Sequence, residues 1–305
     1  MYKINVLMST YNGEKYLREQ IVSIMLQENV FTTLTIRDDG SEDGTIRIIK
    51  ELMREYPDRI RLCRGKNVGY KRSFTKLLSY AEPADFYAFS DQDDHWMLEK
   101  LAKAVEMIEE SGSADEVVLY ASSDIVTDEN LNQTGIHDVS DMPVSIEGFY
   151  SRARIAGCTY CFTPKCLELS SRFAGIRFPE GAVPDHDFIL GSVALSCGKL
   201  LVDGNAYIYH RRTSRSATSG GNGVMQRVRV EADLVFGRRG VQSSVARASL
   251  KLLDEEMNPE AKEFLTTVAG YKKGGRMKLL TDKRMRSGVR FGDLETKIKI
   301  ILGNY

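Results

Sequence analysis

Apolar and polar positions follow two alternating rhythms through the first hundred residues. The segment "KINVLMSTYN" is an apolar run that ends in polar residues, as a buried strand does. The next segment, "GEKYLREQIVSIMLQ", places Tyr16, Leu17, Ile21, Ile24 and Met25 close to helical spacing. The pair then repeats: strand "TLTIRDD", helix "IRIIKELMREYPDR" stopped near Pro57, strand "RIRLCRG", turn and helix "NVGYKRSFTKLLSYA", strand "DFYAFSDQDD". Strands alternating with helices predict right-handed crossovers and a mainly parallel sheet flanked by helices, an α/β fold. Beyond about residue 105 the rhythm loosens. "AKAVEMIEES" predicts a helix and "EVVLYASSDIVT" a strand, with further strands in "ARIAGCTYCFTPKCLEL" and "KLLVDGNAYIYHRR". "SRSATSGGNG" (214–223) predicts a flexible stretch, and from 225 onward the pattern is helical.

A chain of 305 residues can bury one large core or two modest ones. Its 42% apolar and 28% charged content is that of a soluble globular protein. The N-terminus runs straight into a strand without the apolar core of a signal peptide, and no window approaches the length needed to span a bilayer. Five cysteines, an odd number, then predict reduced thiols and a cytoplasmic location. Net charge is zero, but residues 272–290 hold eight Lys or Arg against one Asp. An acidic body with a basic tail predicts that the tail meets something anionic. Nucleic acid is a poor fit as a partner, because the body is acidic and the basic run is short.

Candidate chemistry gathers at the strand ends, where α/β sheets bind their ligands: Thr10 to Asn12, Asp38 to Gly44, Asn67 to Gly69 and Asp91 to Asp94. Neither a P-loop nor a Gly-x-Gly-x-x-Gly turn is present, so the usual phosphate cradles for ATP and NAD are absent. In "DDGSEDGT" an Asp can accept a hydrogen bond from a pyrimidine N–H, or the segment is simply a turn. In "SDQDD" an Asp-x-Asp can bridge a divalent cation to a diphosphate, and its hard oxygens suit Mg²⁺ or Mn²⁺. Capping of a helix starting near Met97 explains Asp94 better than Asp91 and Asp93. In "VPDHDFIL" one carboxylate can serve as a general base, with Asp185 placed to cap the helix that follows. "YIYHRRTSRSAT" clusters His210, Arg211, Arg212 and Arg215, which suit phosphate or metal binding, or a solvated loop. Cys158, Cys161 and Cys166 lack a second pair at zinc spacing and are read as core cysteines.

Taken together, "STYNGEKYLREQIVSIMLQ", "IRDDGSEDGT", "NVGYKRSF" and "FSDQDDHW", followed by "DHDFIL" and "YIYHRR", resemble an inverting family 2 glycosyltransferase of GT-A fold. The nearest flavour is the bacterial rhamnosyltransferase-like group of polysaccharide biosynthesis. The resemblance covers about residues 3 to 215 and the tail only loosely. It implies a Rossmann-like GT-A domain made of a nucleotide-sugar-binding half (1–104) and an acceptor-binding half (105–223), then a helical basic extension (224–305). The donor would be a dTDP- or UDP-linked sugar, dTDP-rhamnose among them, and the acceptor a glycan or lipid-linked saccharide. Nucleotide-sugar contacts would come from Thr10, Tyr11, Asn12, Asp39, Asn67, Arg72, Asp91 and Arg211, with Asp39 at the base N3–H. Asp93 and His210 would hold Mn²⁺ or Mg²⁺, and Asp187 would be the catalytic base. Trp96 would line the sugar or acceptor site, or belong to the core. Two positions depart from the family pattern: Ser73 replaces a frequent Asn, and Tyr209-His210-Arg211-Arg212 replaces a frequent Tyr-Arg-x-His. The second departure supports a non-catalytic sugar-nucleotide-binding relative as the alternative; a nucleotidyltransferase is a further one. The basic tail, through 272–302, would rest on anionic lipid at the inner face of the membrane.

Overall fold

Each of the seven leading predictions, four strands and three helices, is realised in the computed structural model, which describes residues 1–112, 115–179, 181–212 and 239–305. The strands are β1 (Tyr2–Thr10), β2 (Val30–Asp38), β3 (Ile60–Arg64) and β4 (Phe86–Ser90), interleaved with helices α1 (Leu17–Met25), α2 (Thr45–Glu55) and α3 (Tyr70–Leu77). They are followed by β5 (His95–Trp96), α4 (Lys100–Glu110), β6 (Val118–Thr127) and β7 (Gln133–His137). Next come α5 (Ile146–Ser151), β8 (Cys161–Phe162), α6 (Pro164–Ser171), α7 (His186–Cys197) and β9 (Lys199–Arg211). The strands form one sheet in the order β3-β2-β1-β4-β8-β6-β9-β5, with β7 paired to β6. β1 pairs in parallel with β2 and β4, β2 with β3, and β6 with β9. β8 is antiparallel to both β4 and β6, so all six of the longer-range parallel strands point the same way and their carboxyl ends share one edge.

The chain divides into two compact units: 1–140 with 155–174 and 199–211, and 141–154 with 175–198 and 212–305. In the first, side-chain alternation along the strands feeds two layers. Ile4, Val6 and Met8 of β1 and Phe86 and Ala88 of β4 pack with Leu17, Ile21 and Ile24 of α1, Ile49 and Leu52 of α2, and Leu101 and Ile108 of α4. The opposite face of β4 carries Tyr87 and Phe89; Phe89 meets Phe74 of α3 edge-on and Phe162 of β8. Trp96 is 1% exposed and lies in the first of these layers, so it is a core residue and lines no sugar site.

Two predicted elements differ. "ARIAGCTYCF" forms a 3₁₀ turn and a two-residue strand, because only Cys161 and Phe162 find partners between β4 and β6. The helix after the acidic cluster starts at Lys100, with Glu99 at its N-cap, so none of Asp91, Asp93 and Asp94 caps it. The second unit is helical, as the pattern from 225 predicts wherever it is described: α8 (Val241–Leu252), α9 (Pro259–Ala269), α10 (Arg276–Thr281) and α11 (Arg290–Leu302). Phe149 stacks on Phe188 and leaves no room for a side chain at Gly191, whose Cβ would lie 2.2 Å from the Phe149 ring. The Tyr305 hydroxyl donates to the Tyr150 carbonyl, fastening the end of the chain to α5. The flexible stretch read at 214–223, and Arg215 with it, lie outside the described residues.

Candidate active site

β1 and β2 end in register, Thr10 opposite Asp38. Asp38 is wholly buried and folds the next turn onto itself, accepting from the Gly40 and Ser41 amides and from the Thr10 hydroxyl. Gly40 takes φ +89°, a backbone state that favours glycine. Asp39 faces the neighbouring turn. Its carboxylate accepts from Arg37 at 2.6 Å and from the amides of Val68 and Gly69. Asp39 is 2% exposed, and the Val68 amide reaches both of its oxygens. Arg37 is itself buried and also donates to Ser73, which bonds Ser9 at 2.5 Å. The Ser that departs from the family pattern is therefore a small hydroxyl linking β1, β2 and α3.

The other predicted contacts on this side are exposed. Asn67 accepts from the Gly69 amide, and Arg72 projects from α3. Asn12, at φ +48°, accepts from the Glu42 amide, which latches two strand-end loops together. Tyr11 is held through its backbone: Gln92 accepts from its N–H at 2.9 Å and donates to its carbonyl at 3.1 Å. Gly13 leaves room for that pairing, since a Cβ there would lie 2.4 Å from Gln92 Oε1. Gly13→Ala is thus expected to cost about 1–2 kcal/mol by breaking two hydrogen bonds. In Gln92→Ala the same substitution should add almost nothing, a non-additivity that chemical denaturation of the four proteins measures.

The acidic cluster follows β4 and meets the end of β9. Asp94 is wholly buried; its Oδ1 accepts from the Arg211 amide, and its Oδ2 has no hydrogen-bond partner. Burial, and then the charge of Asp94, push the Asp93 carboxyl up to about 6. Arg211 is 4% exposed and its guanidinium is committed to the Asp93 and Glu129 carbonyls and to Glu19 at 2.7 Å, over the ring of Tyr16. It shapes the site by holding the Asp93 backbone, not by presenting an open fork to a diphosphate.

His210 lies where a metal ligand is expected, and its orientation comes from a residue that the sequence reading passed over. Asp124, buried in β6, accepts from His210 Nδ1 and His137 Nδ1, each at 2.9 Å. Burial pushes Asp124 up, but these two hydrogen bonds prevail and hold it at about 2. Burial pulls His210 down, yet Asp94 and the bond to Asp124 outweigh it and raise the imidazole to about 9. With Nδ1 occupied, Nε2 is the nitrogen left for a ligand. Among the described residues, one set of side chains has the convergence a metal needs: Asp91, Cys158 and His210, with ligand atoms all within 4.8 Å of one another. Asp93 is outside that trio. The Cys158 thiol is pushed well above its usual range, by burial first and then by Asp94, Asp91 and Asp124. These donors fit a divalent cation.

Lys100, also missed, is wholly buried with its Nζ 3.9 Å from the Trp96 ring centroid and without a hydrogen-bond partner. Burial pulls it down to about 8. From 10.5 to about 8 the displacement corresponds to roughly 3 kcal/mol. The unfolded chain binds more protons between those values, so stability from this group is present above about pH 10.5 and lost as pH falls through 8. Lys100→Met is expected to raise the melting temperature at pH 7 and to lose that advantage by about pH 10.5; melts at both pH values check it.

Asp187 belongs to the second unit. It sits in the first turn of α7, partly buried, with Oδ1 accepting from the Phe188 amide at 2.6 Å. Asp185 takes the N-cap position but makes no capping bond from its side chain.

The profile of Glycosyl transferase family 2 matches residues 5–178. Among curated proteins, the dTDP-rhamnosyl transferase RfbG of Shigella flexneri is 29% identical over 61% of this chain and 64% of its own length. The putative glycosyltransferase EpsE of Bacillus subtilis (strain 168) is 39% identical over 35% of this chain and 38% of its own. The chain thus spans less than two thirds of either relative. Among solved structures, S. aureus TarS 1-349 in complex with UDP-GlcNAc aligns over 99% of this chain and 93% of its own at TM-score 0.52 and 17% identity, a likeness of fold. The mixed, mainly parallel sheet flanked by helices is the GT-A fold.

Proposed function

This chain belongs to glycosyl transferase family 2, and from that premise we propose that it moves a sugar from a dTDP- or UDP-linked donor to a hydroxyl of a glycan or lipid-linked saccharide, with inversion. The observation that carries this reading is the meeting of Asp91, after β4, with His210, at the end of β9, on the shared edge of the parallel strands. The relative named for dTDP-rhamnosyl transfer and the fold neighbour bound to UDP-GlcNAc support pyrimidine donors, dTDP-rhamnose among them.

In this reading the base and ribose meet Thr10 and Asp39, and Tyr11, Asn12, Asn67 and Arg72 line the nucleotide. Asp91 and His210 are the residues that would hold the divalent cation, Mn²⁺ or Mg²⁺ in the family pattern, and it would supply neutralising charge to the departing diphosphate. Asp187 takes the proton of the acceptor hydroxyl as its oxygen bonds to the anomeric carbon and the bond to the diphosphate breaks. A single displacement inverts that carbon. Residues 105–223 are assigned to the acceptor.

Incubation with UDP- and dTDP-sugars and a saccharide acceptor, followed by mass spectrometry and NMR of the product, tests the reaction. A new linkage of configuration opposite to the donor supports it. Retained configuration, or release of pyrophosphate, contradicts it. The non-catalytic alternative, which rests on the altered Tyr209-His210-Arg211-Arg212 segment, predicts nucleotide binding without any product.

The tail supports a place at the inner face of the membrane. Phe291, Leu294, Ile301 and Leu302 of α11 are exposed, Phe291 by 81%, and Met277 of α10 is exposed with Lys272, Lys273, Arg276 and Lys278 around it in sequence. Apolar side chains beside Lys and Arg suit anionic lipid, with about 1 kcal/mol from each basic residue near the surface. No helix among the described residues is long and apolar enough to cross a membrane. Phe291→Asp with Leu294→Asp is expected to abolish sedimentation with phosphatidylserine vesicles; unchanged sedimentation would defeat this contact.

A further inference from the structure

Cys158 belongs to a 3₁₀ turn, Gly157–Thr159, closed by backbone bonds from Thr159 to Ala156 and from Tyr160 to Gly157. The turn holds the thiol against the two groups that the donor-site reading needs for its cation. Sγ of Cys158, a carboxylate oxygen of Asp91 and a ring nitrogen of His210 lie within 4.8 Å of one another. An ion bound at 2.0–2.3 Å from nitrogen and sulfur draws its ligands to roughly 3.3–3.8 Å apart, so closure takes about 1 Å of movement. Two neighbouring features favour a positive ion here. The buried Asp94 Oδ2 has no hydrogen-bond partner, and Asp124 fixes the His210 ring through Nδ1.

We propose that Cys158 is a thiolate ligand of this pocket, and that the pocket therefore takes Zn²⁺ or Co²⁺ in preference to Mg²⁺. One sulfur, one nitrogen and one oxygen make a borderline-soft donor set, whereas Mg²⁺ requires near-octahedral oxygen. Three protein ligands leave a fourth position for water or a diphosphate oxygen. When the ion binds, the Cys158 thiol and the Nε2 of the His210 imidazolium each give a proton to solvent. The inference deepens the donor-site reading and rests on it for the purpose of the cation, while its ligands are read from the geometry alone. Cys161 and Cys166 are buried but outside the trio.

Titration of the full chain with Co²⁺ alone, followed by absorption, tests the proposal. A near-ultraviolet thiolate-to-cobalt band is expected, saturating at one equivalent, lost in Cys158→Ser and kept in Cys161→Ser. Zn²⁺ should bleach it and excess Mg²⁺ should not. Co²⁺ binding without that band, or a band that persists in Cys158→Ser, overturns the proposal and makes Cys158 a core residue. Thermal shifts with UDP and dTDP in Mn²⁺ keep the two readings apart. A shift in both proteins with no cobalt band refutes the thiolate alone; a cobalt band with no nucleotide shift in either upholds the thiolate and refutes the donor site.

Discussion

Asp187→Asn is expected to lower the glycosyl-transfer rate by about 10²–10⁴-fold, the usual worth of a positioned general base. The substitution keeps the shape of the side chain and can still accept from the Phe188 amide, so α7 should start as before. Affinity for the nucleoside diphosphate, which the first unit is proposed to bind, should be unchanged within about twofold, because a residue acting only in the chemical step leaves ground-state binding alone. Rates with saturating donor, measured beside donor binding, check both halves. Full activity in the variant would remove Asp187 from the mechanism, and a loss confined to binding would assign it a different task.

Asp124→Asn should have the second largest effect, although Asp124 is not expected to touch substrate. One carboxylate accepts from two imidazoles, and an amide offers a single oxygen and a donor that repels the second N–H. Cation affinity is expected to fall about 10–100-fold, the usual cost of losing the partner that orients a metal-binding histidine. Stability should fall as well. The Asp124 carboxyl is held at about 2 against its ordinary 3.8, so its contribution of roughly 2 kcal/mol is present above pH 3.8 and lost as pH falls toward 2. Calorimetric titration with Mn²⁺ and denaturation at pH 7 measure the two effects. Unchanged cation affinity would show that His210 is not a ligand.

Those two residues were unequally visible in the sequence. Asp187 stands before an apolar helical run in a readable motif. Asp124 lies inside "YASSDIVT", where its only signal is a lone carboxylate in a strand of apolar and small residues. Its partners are 13 and 86 residues away, and His137 comes from a short strand that local pattern does not announce. The same limit explains β5 and β8: two residues each, they exist because β9, β4 and β6 offer unpaired edges. The longer strands and helices were legible because each carries its own periodicity. Arg211 shows the converse. Its identity suits phosphate, but Glu19 and the Asp93 carbonyl claim it, and neither claim is visible before the chain is folded. Cys158 was read as core from its apolar neighbours; its burial agrees, while its position beside Asp91 and His210 depends on tertiary contact.

The most direct test of the donor site is the melting temperature of the protein with UDP, dTDP and GDP, each with and without Mn²⁺. A bound ligand at a hundred times its dissociation constant stabilises by about 2.7 kcal/mol. The predicted result is a clear upward shift with a pyrimidine diphosphate that requires the metal, and little or none with GDP. No shift with any nucleotide at millimolar concentration, with or without metal, would contradict a nucleoside diphosphate site at these strand ends.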